Sequence, residues 1–139
     1  MAVDPGGTTG WCLLRAGETI PETFQHTPYE FEKKAHEIFQ RPDARNAILI
    51  VERFTITAAT AKKSQQPEAL EIIGTLKYLA KFYAKLTPNF QSPADVMRLV
   101  TDQRLKALGW YRPGIPHGMD SLRHLAAALA RRGELRLPT

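Results

Sequence analysis

The chain of 139 residues carries one cysteine, Cys12, and no apolar run approaching the roughly 20 residues that cross a bilayer. A lone cysteine closes no internal disulfide and is too solitary for a thiolate metal cluster, so the fold must rest on its core. The opening Met1-Ala2-Val3-Asp4 lacks the charged and apolar blocks of a signal peptide, and the expectation is a cytoplasmic protein with no membrane partner. Repeats, low-complexity tracts and linkers are missing as well. With 43% hydrophobic and 24% charged residues, these absences exclude a disordered chain, a collagen and a disulfide scaffold. The length predicts a single domain over residues 1–139, because chains usually divide only beyond roughly 250 residues. Nineteen Lys and Arg against fourteen Asp and Glu leave a net charge of +5. That balance fits a polyanionic partner, and it equally fits a surface charged for solubility.

What is present reads as strands first and then alternating helices and strands. Met1 to Val3 is a short apolar stretch that ends at Asp4 and enters Pro5-Gly6-Gly7-Thr8-Thr9-Gly10, a tight turn. Trp11 to Ala16 and Thr19 to Gln25 read as strands joined through Gly17-Glu18, an antiparallel meander with Cys12 on its first strand. Thr27 caps and Pro28 opens an amphipathic helix to Gln40, with Phe31, Ala35, Ile38 and Phe39 on one face. Arg41-Pro42-Asp43 stops it. Ala47-Ile48-Leu49-Ile50-Val51 is the run of a strand buried on both faces, and Glu52 ends it. Residues 53–66 read as a polar loop. From Pro67 to about Leu86 the spacing predicts a helix with two apolar stripes, Ile72/Leu76/Leu79/Tyr83/Leu86 and Ala69/Ile73/Ala80, beside a ridge of Lys77, Lys81 and Lys85. So wide an apolar surface predicts packing on the sheet and on something else. A brief strand at Asn89 to Ser92 comes next, then a helix from Pro93 to about Leu108 closed by Gly109. A last helix from about Gly118 to Arg132 turns Leu122, Leu125, Ala126 and Leu129 inward. The fold class is α/β: an antiparallel meander followed by parallel strands, flanked by helices.

The residues that carry chemistry are acidic and sit at element ends. Asp4 ends a strand, Glu52 ends the central strand and Asp120 opens a helix, and open α/β sheets assemble their sites at strand ends. If the first and central strands are neighbours, Asp4 and Glu52 lie side by side, and Asp120 joins them once the last helix crosses that edge. Three carboxylates forced together need cations, and hard oxygen ligands favour Mg²⁺ or Mn²⁺. Two such ions about 4 Å apart activate a water and stabilise the leaving oxygen of a phosphodiester. Taken singly, each residue has a plainer reading: a turn starter, a solvated strand end and a helix N-cap. His117, Asp120 and His124 stand at i, i+3 and i+7, one face of a helix if it begins at His117. There a histidine serves as ligand or proton shuttle; otherwise His117 lies in the preceding loop and His124 is a partly buried helix residue.

The turn Asp4-Pro5-Gly6-Gly7-Thr8-Thr9-Gly10 resembles the phosphate-binding hairpin of sugar-kinase and actin-like ATPases, but those proteins close two large lobes on the nucleotide and this chain has the length of one short lobe. The same turn followed by Trp11 resembles the RuvC-like Holliday junction resolvases, especially their compact phage branch, whose sheet is ribonuclease H-like. The resemblance continues through Val51-Glu52-Arg53-Phe54, Glu71-Ile72-Ile73-Gly74, Gln91-Ser92-Pro93-Ala94-Asp95-Val96 and His117-Gly118-Met119-Asp120-Ser121-Leu122-Arg123-His124. It implies a metal-dependent endonuclease that nicks branched DNA, four-way junctions above all, as a homodimer built on the 67–86 helix. It implies Asp4, Glu52 and Asp120 as ligands of two Mg²⁺ or Mn²⁺ ions, with His117 as the fourth active-site residue and His124 as an accessory one. Phe54 resembles the aromatic wedge of the family but comes one residue early; it either stacks on a junction base or closes the core. Arg53, Lys62 and Lys63 would meet phosphates near the branch point, and otherwise form a solvated charge run. A ribonuclease H-fold nuclease for other branched DNA or structured RNA, and a non-catalytic junction-binding module, are the competing readings.

Overall fold

Strands of three to five residues build one mixed sheet in the computed structural model, which describes residues 1–59 and 67–139. The strands are β1 (Ala2–Asp4), β2 (Thr9–Leu13), β3 (Glu22–His26), β4 (Ile50–Glu52) and β5 (Asn89–Gln91). Their spatial order is β3-β2-β1-β4-β5. β2 runs antiparallel to β1 and β3, whereas β4 is parallel to β1 and β5 parallel to β4. Side chains alternate across the sheet. Val3, Trp11 and Val51 therefore enter one core with α1 (Pro28–Phe39) and α2 (Pro67–Leu79), while Ala2, Cys12 and Ile50 enter a second core. That second core is closed by α3 (Pro93–Leu99), α4 (Asp102–Ala107) and α5 (Pro116–Arg131).

The first helix starts as its sequence dictates. Thr27 accepts from the Glu30 N–H while the Glu30 carboxylate accepts from the Thr27 N–H, a capping box, and Pro28 occupies the first turn. Other boundaries differ from expectation for local reasons. The turn at Gly17 forms, with φ of 85°, but β3 begins only at Glu22 because Pro21 has no N–H for the ladder. Only Ile50–Glu52 of the apolar run pairs as β4: β1 offers three residues, and the Ala47 N–H is taken by Ala44 in a 3₁₀ turn over Pro42–Asn46. The expected helix from Pro93 to Leu108 is two helices. Val100 leaves helical geometry to bury its side chain completely, Thr101 caps α4 through its hydroxyl, and Arg104 donates to the Leu99 carbonyl stranded at the break. The last helix starts at Pro116, earlier than expected, so it includes His117.

The two stripes of α2 also need correction, since both enter the same core. Ile72, Ile73, Leu76, Leu79 and Ala80 are buried there, Ala69 is fully buried as well, and the helix continues as a π-helical turn over Ala80–Ala84. The apolar residues left outside lie on another face: Leu70, Tyr78 and Phe82 are exposed, with the Tyr78 and Phe82 rings stacked at 5.3 Å. Lys77, Lys81 and Lys85 are exposed beside them.

Candidate active site

Register places one row of residues across the sheet beneath α5. Gln25 pairs with Gly10, and Gly10 with Asp4. Val3 pairs with Val51, which sets Asp4 beside Glu52, and Glu52 pairs with Gln91. Because alternation gives every member of the row the same face, Gln25, Gly10, Asp4, Glu52 and Gln91 all look toward the last helix. Asp4, Glu52 and Gln91 are also the final residues of their strands.

The helix answers the row residue by residue. Ile115 supplies no side-chain cap; instead the Gln25 carboxamide oxygen accepts from the N–H groups of His117 at 2.7 Å and Gly118 at 3.2 Å. Gly10 lets the helix descend, since a Cβ there would lie 2.0 Å from the His117 carbonyl carbon and oxygen. At that depth His117 Nδ1 lies 2.8 Å from Asp4 Oδ2. Ligand atoms of Asp4, His117 and Asp120 all fall within 4.8 Å of one another. Replacing Gln25 by Leu removes the acceptor for two N–H groups, and we expect a loss of about 1–2 kcal/mol in urea unfolding.

Glu52 is not in that cluster of ligand atoms. Its Oε2 lies 2.9 Å from His124 Nε2, and His124 Nδ1 lies 3.0 Å from Gln91 Oε1. His124 is therefore buried, as its plainer reading holds, and engaged with a candidate ligand. Asp120 sits in the second turn of α5, so it is no N-cap; Arg123 holds it at 2.5 Å and also contacts Asp102. The negative charge is felt most by Asp4. Burial and the neighbouring Glu52 push its carboxyl up to about 7, with a smaller push from Asp120, although the bond to His117 pulls the other way. Two carboxylates, that of Asp4 buried, and an imidazole converging in this way fit a hard divalent cation such as Mg²⁺ or Mn²⁺.

The other expected contacts divide. Arg53 is exposed immediately after Glu52, while Phe54 is half-buried against the core of α1 and α2 and Ile56 is exposed. Lys62 and Lys63 lie outside the described residues. Gln25, Gly10, Gln91 and Arg123 were not expected to shape the site, and their only signal is the cross-strand and helical register that aligns them with Asp4, Glu52 and Asp120.

Two solved structures of Thermus thermophilus RuvC superpose on the chain. One, in complex with a Holliday junction substrate, gives a TM-score of 0.55 at 18% identity, covering 99% of this chain and 97% of that one. The second gives 0.54 at 16% identity, covering 99% and 98%. The fold is that of RuvC. Five strands in a mixed sheet flanked by helices, with the antiparallel β1–β2–β3 side and the parallel β4 and β5, are thus the RuvC and ribonuclease H-like arrangement. No protein family model matches the chain, and no curated protein matches it in sequence. Among the described residues no helix is long and apolar enough to cross a membrane.

Proposed function

We propose that the chain is a single-domain, metal-dependent endonuclease that resolves four-way DNA junctions by paired nicking as a homodimer. One observation carries the reading: Asp4, His117 and Asp120 present ligand atoms within 4.8 Å of one another in a fold whose solved counterpart is bound to a Holliday junction. Asp4, Glu52, His117 and Asp120 would hold Mg²⁺ or Mn²⁺, two ions per site. Bound there, the cations supply Lewis acidity toward the scissile phosphodiester. The chain's own part is to fix the ligands. Asp4 is pinned by its pairing with Gly10 at the end of a strand that β4 flanks on the other side, and His117 by Gln25 above Gly10. Asp120 is held by Arg123, which Asp102 braces in turn. Arg53, with Lys62 and Lys63, would meet phosphates beside Glu52; Phe54 closes the core from the same segment.

The exposed face that α2 shares with its π-helical turn supports the homodimer, because Leu70, Tyr78 and Phe82 are exposed along it among lysines. Tyr78→Glu should shift the protein from dimer to monomer in sedimentation and cost paired nicking more than single nicking. The function itself is tested by initial rates on a four-way junction, a fork, a flap, a structured RNA and a linear duplex, each with Mg²⁺ and with EDTA. The junction should be cut fastest and only with metal. A faster flap or RNA reaction would reassign the substrate, and metal-insensitive junction binding without nicking would make the chain a binding module.

A further inference from the structure

We propose that His124 and Gln91 form a positioning pair that fixes the Glu52 carboxylate for cation binding; the inference rests on the metal-site reading above. His124 follows Asp120 by one turn of α5, the helix whose apolar residues close the second core, and is 1% exposed. An imidazole at such a place must find partners for its ring nitrogens, and it finds them in two adjacent row members. Nε2 meets Glu52 Oε2 at 2.9 Å and Nδ1 meets Gln91 Oε1 at 3.0 Å. Gln91, itself 4% exposed, is the cross-strand neighbour of Glu52, and its carbonyl accepts from the Arg53 N–H at 2.8 Å. The pair thus grips the carboxylate from α5 and β5 while the same strand end grips the backbone just beyond it. A carboxamide presents either its oxygen or its nitrogen to a ring, so the grip holds whether the imidazole is neutral or charged.

The need for it lies in the length of the side chain. Asp4 and Asp120 reach the cluster on short stems and are held by His117 and Arg123. Glutamate has an additional rotatable bond, and freezing such a side chain costs conformational entropy. Engaging Oε2 with His124 would order the side chain before a cation arrives, with Oε1 as the oxygen to bind it. Supporting partners of metal ligands typically carry 10–100-fold in metal affinity. Core packing alone would be served as well by leucine.

The test is calorimetric titration of Mn²⁺ into the metal-free protein, with thermal stability recorded separately for each variant. His124→Leu should weaken Mn²⁺ binding by about 10–100-fold. His124→Gln, whose amide can donate near the position of Nε2, should recover much of that loss. Gln91→Leu should weaken binding several-fold. Junction cleavage at saturating Mn²⁺ should then return toward the unaltered rate in His124→Gln and less in His124→Leu. Unchanged affinity in His124→Leu, or equal losses in the Leu and Gln variants, would overturn the positioning role. If His124→Leu fails to fold, unchanged affinity in Gln91→Leu overturns it alone. Failure of the unaltered protein to bind Mn²⁺ would remove the metal site and this inference together, whereas normal binding with indifferent variants removes only the inference.

Discussion

Asp4→Asn is expected to abolish junction cleavage and, at the same time, to make the metal-free protein more stable near pH 7.5. The loss of activity should exceed about 100-fold, the upper end of what a merely supporting residue costs. The gain in stability follows from the direction of the Asp4 shift. Its native carboxyl titrates at about 7 and its ordinary value is 3.8, so between these the folded protein holds a proton that the unfolded chain has released. Stability of the metal-free protein is therefore full below about pH 4 and declines as pH rises to about 7. Asparagine carries no charge to release and should flatten that decline, for a gain of at most roughly 4 kcal/mol above pH 7, less whatever the altered contact with His117 costs. Unfolding midpoints at several pH values in EDTA, for both proteins, would show it. Added Mg²⁺ should restore the unaltered protein at pH 7.5 and leave Asp4→Asn unmoved. Equal pH profiles in the two proteins would remove the electrostatic account of the site.

Gly10→Ala should be the most damaging of the glycine-to-alanine substitutions. The added Cβ would lie 2.0 Å from two backbone atoms of His117 and 2.6 Å from the Gly118 nitrogen. No flexible side chain stands there to give way, so either β2 or the start of α5 must move. Overpacking of this kind costs about 1–3 kcal/mol and sometimes more, and here we expect the upper end. The displacement also lifts His117 from Asp4, so activity should fall even under conditions where the variant is fully folded. Gly118→Ala is the graded comparison. Its Cβ would meet the Ile115 side chain at 2.9 Å and the Thr23 methyl at 3.0 Å, groups that can adjust, with the Phe24 carbonyl oxygen, a backbone atom, farther off at 3.3 Å, and the penalty should be smaller. Equal stability of Gly10→Ala and the unaltered protein would contradict the close approach of α5 to the sheet.

These two residues mark what local pattern encodes and what it does not. Asp4 and Glu52 are legible because each is an acidic residue that ends an apolar run, and a buried strand leaves its last polar residue at the sheet edge. His117, Asp120 and His124 are legible through helical spacing alone, once Pro116 is seen to open the helix. Gln25 and Gln91 carry no such signal. A glutamine on an alternating strand looks like any solvent-facing residue, and only cross-strand register brings both into the row under α5. Gly10 reads as part of a turn although it lies within β2, because the demand for a missing Cβ comes from a helix more than one hundred residues away. The break at Val100 and Thr101 is a competition between a capping hydroxyl and helix continuation, which spacing of apolar residues does not register. In α2 the apolar spacing is read correctly, but the division into two surfaces depends on how much of the helix circumference the core absorbs.

Paired cleavage of a branched substrate by one cation site per subunit would be read most directly by mapping nicks on a four-way junction labelled on each strand in turn, with Mg²⁺ present. Nicks are expected at symmetric positions in one pair of opposing strands, each leaving a 5′-phosphate, and none in EDTA or in a linear duplex of the same sequence. Cleavage that persists in EDTA, or that cuts the linear duplex as fast as the junction, would contradict that expectation.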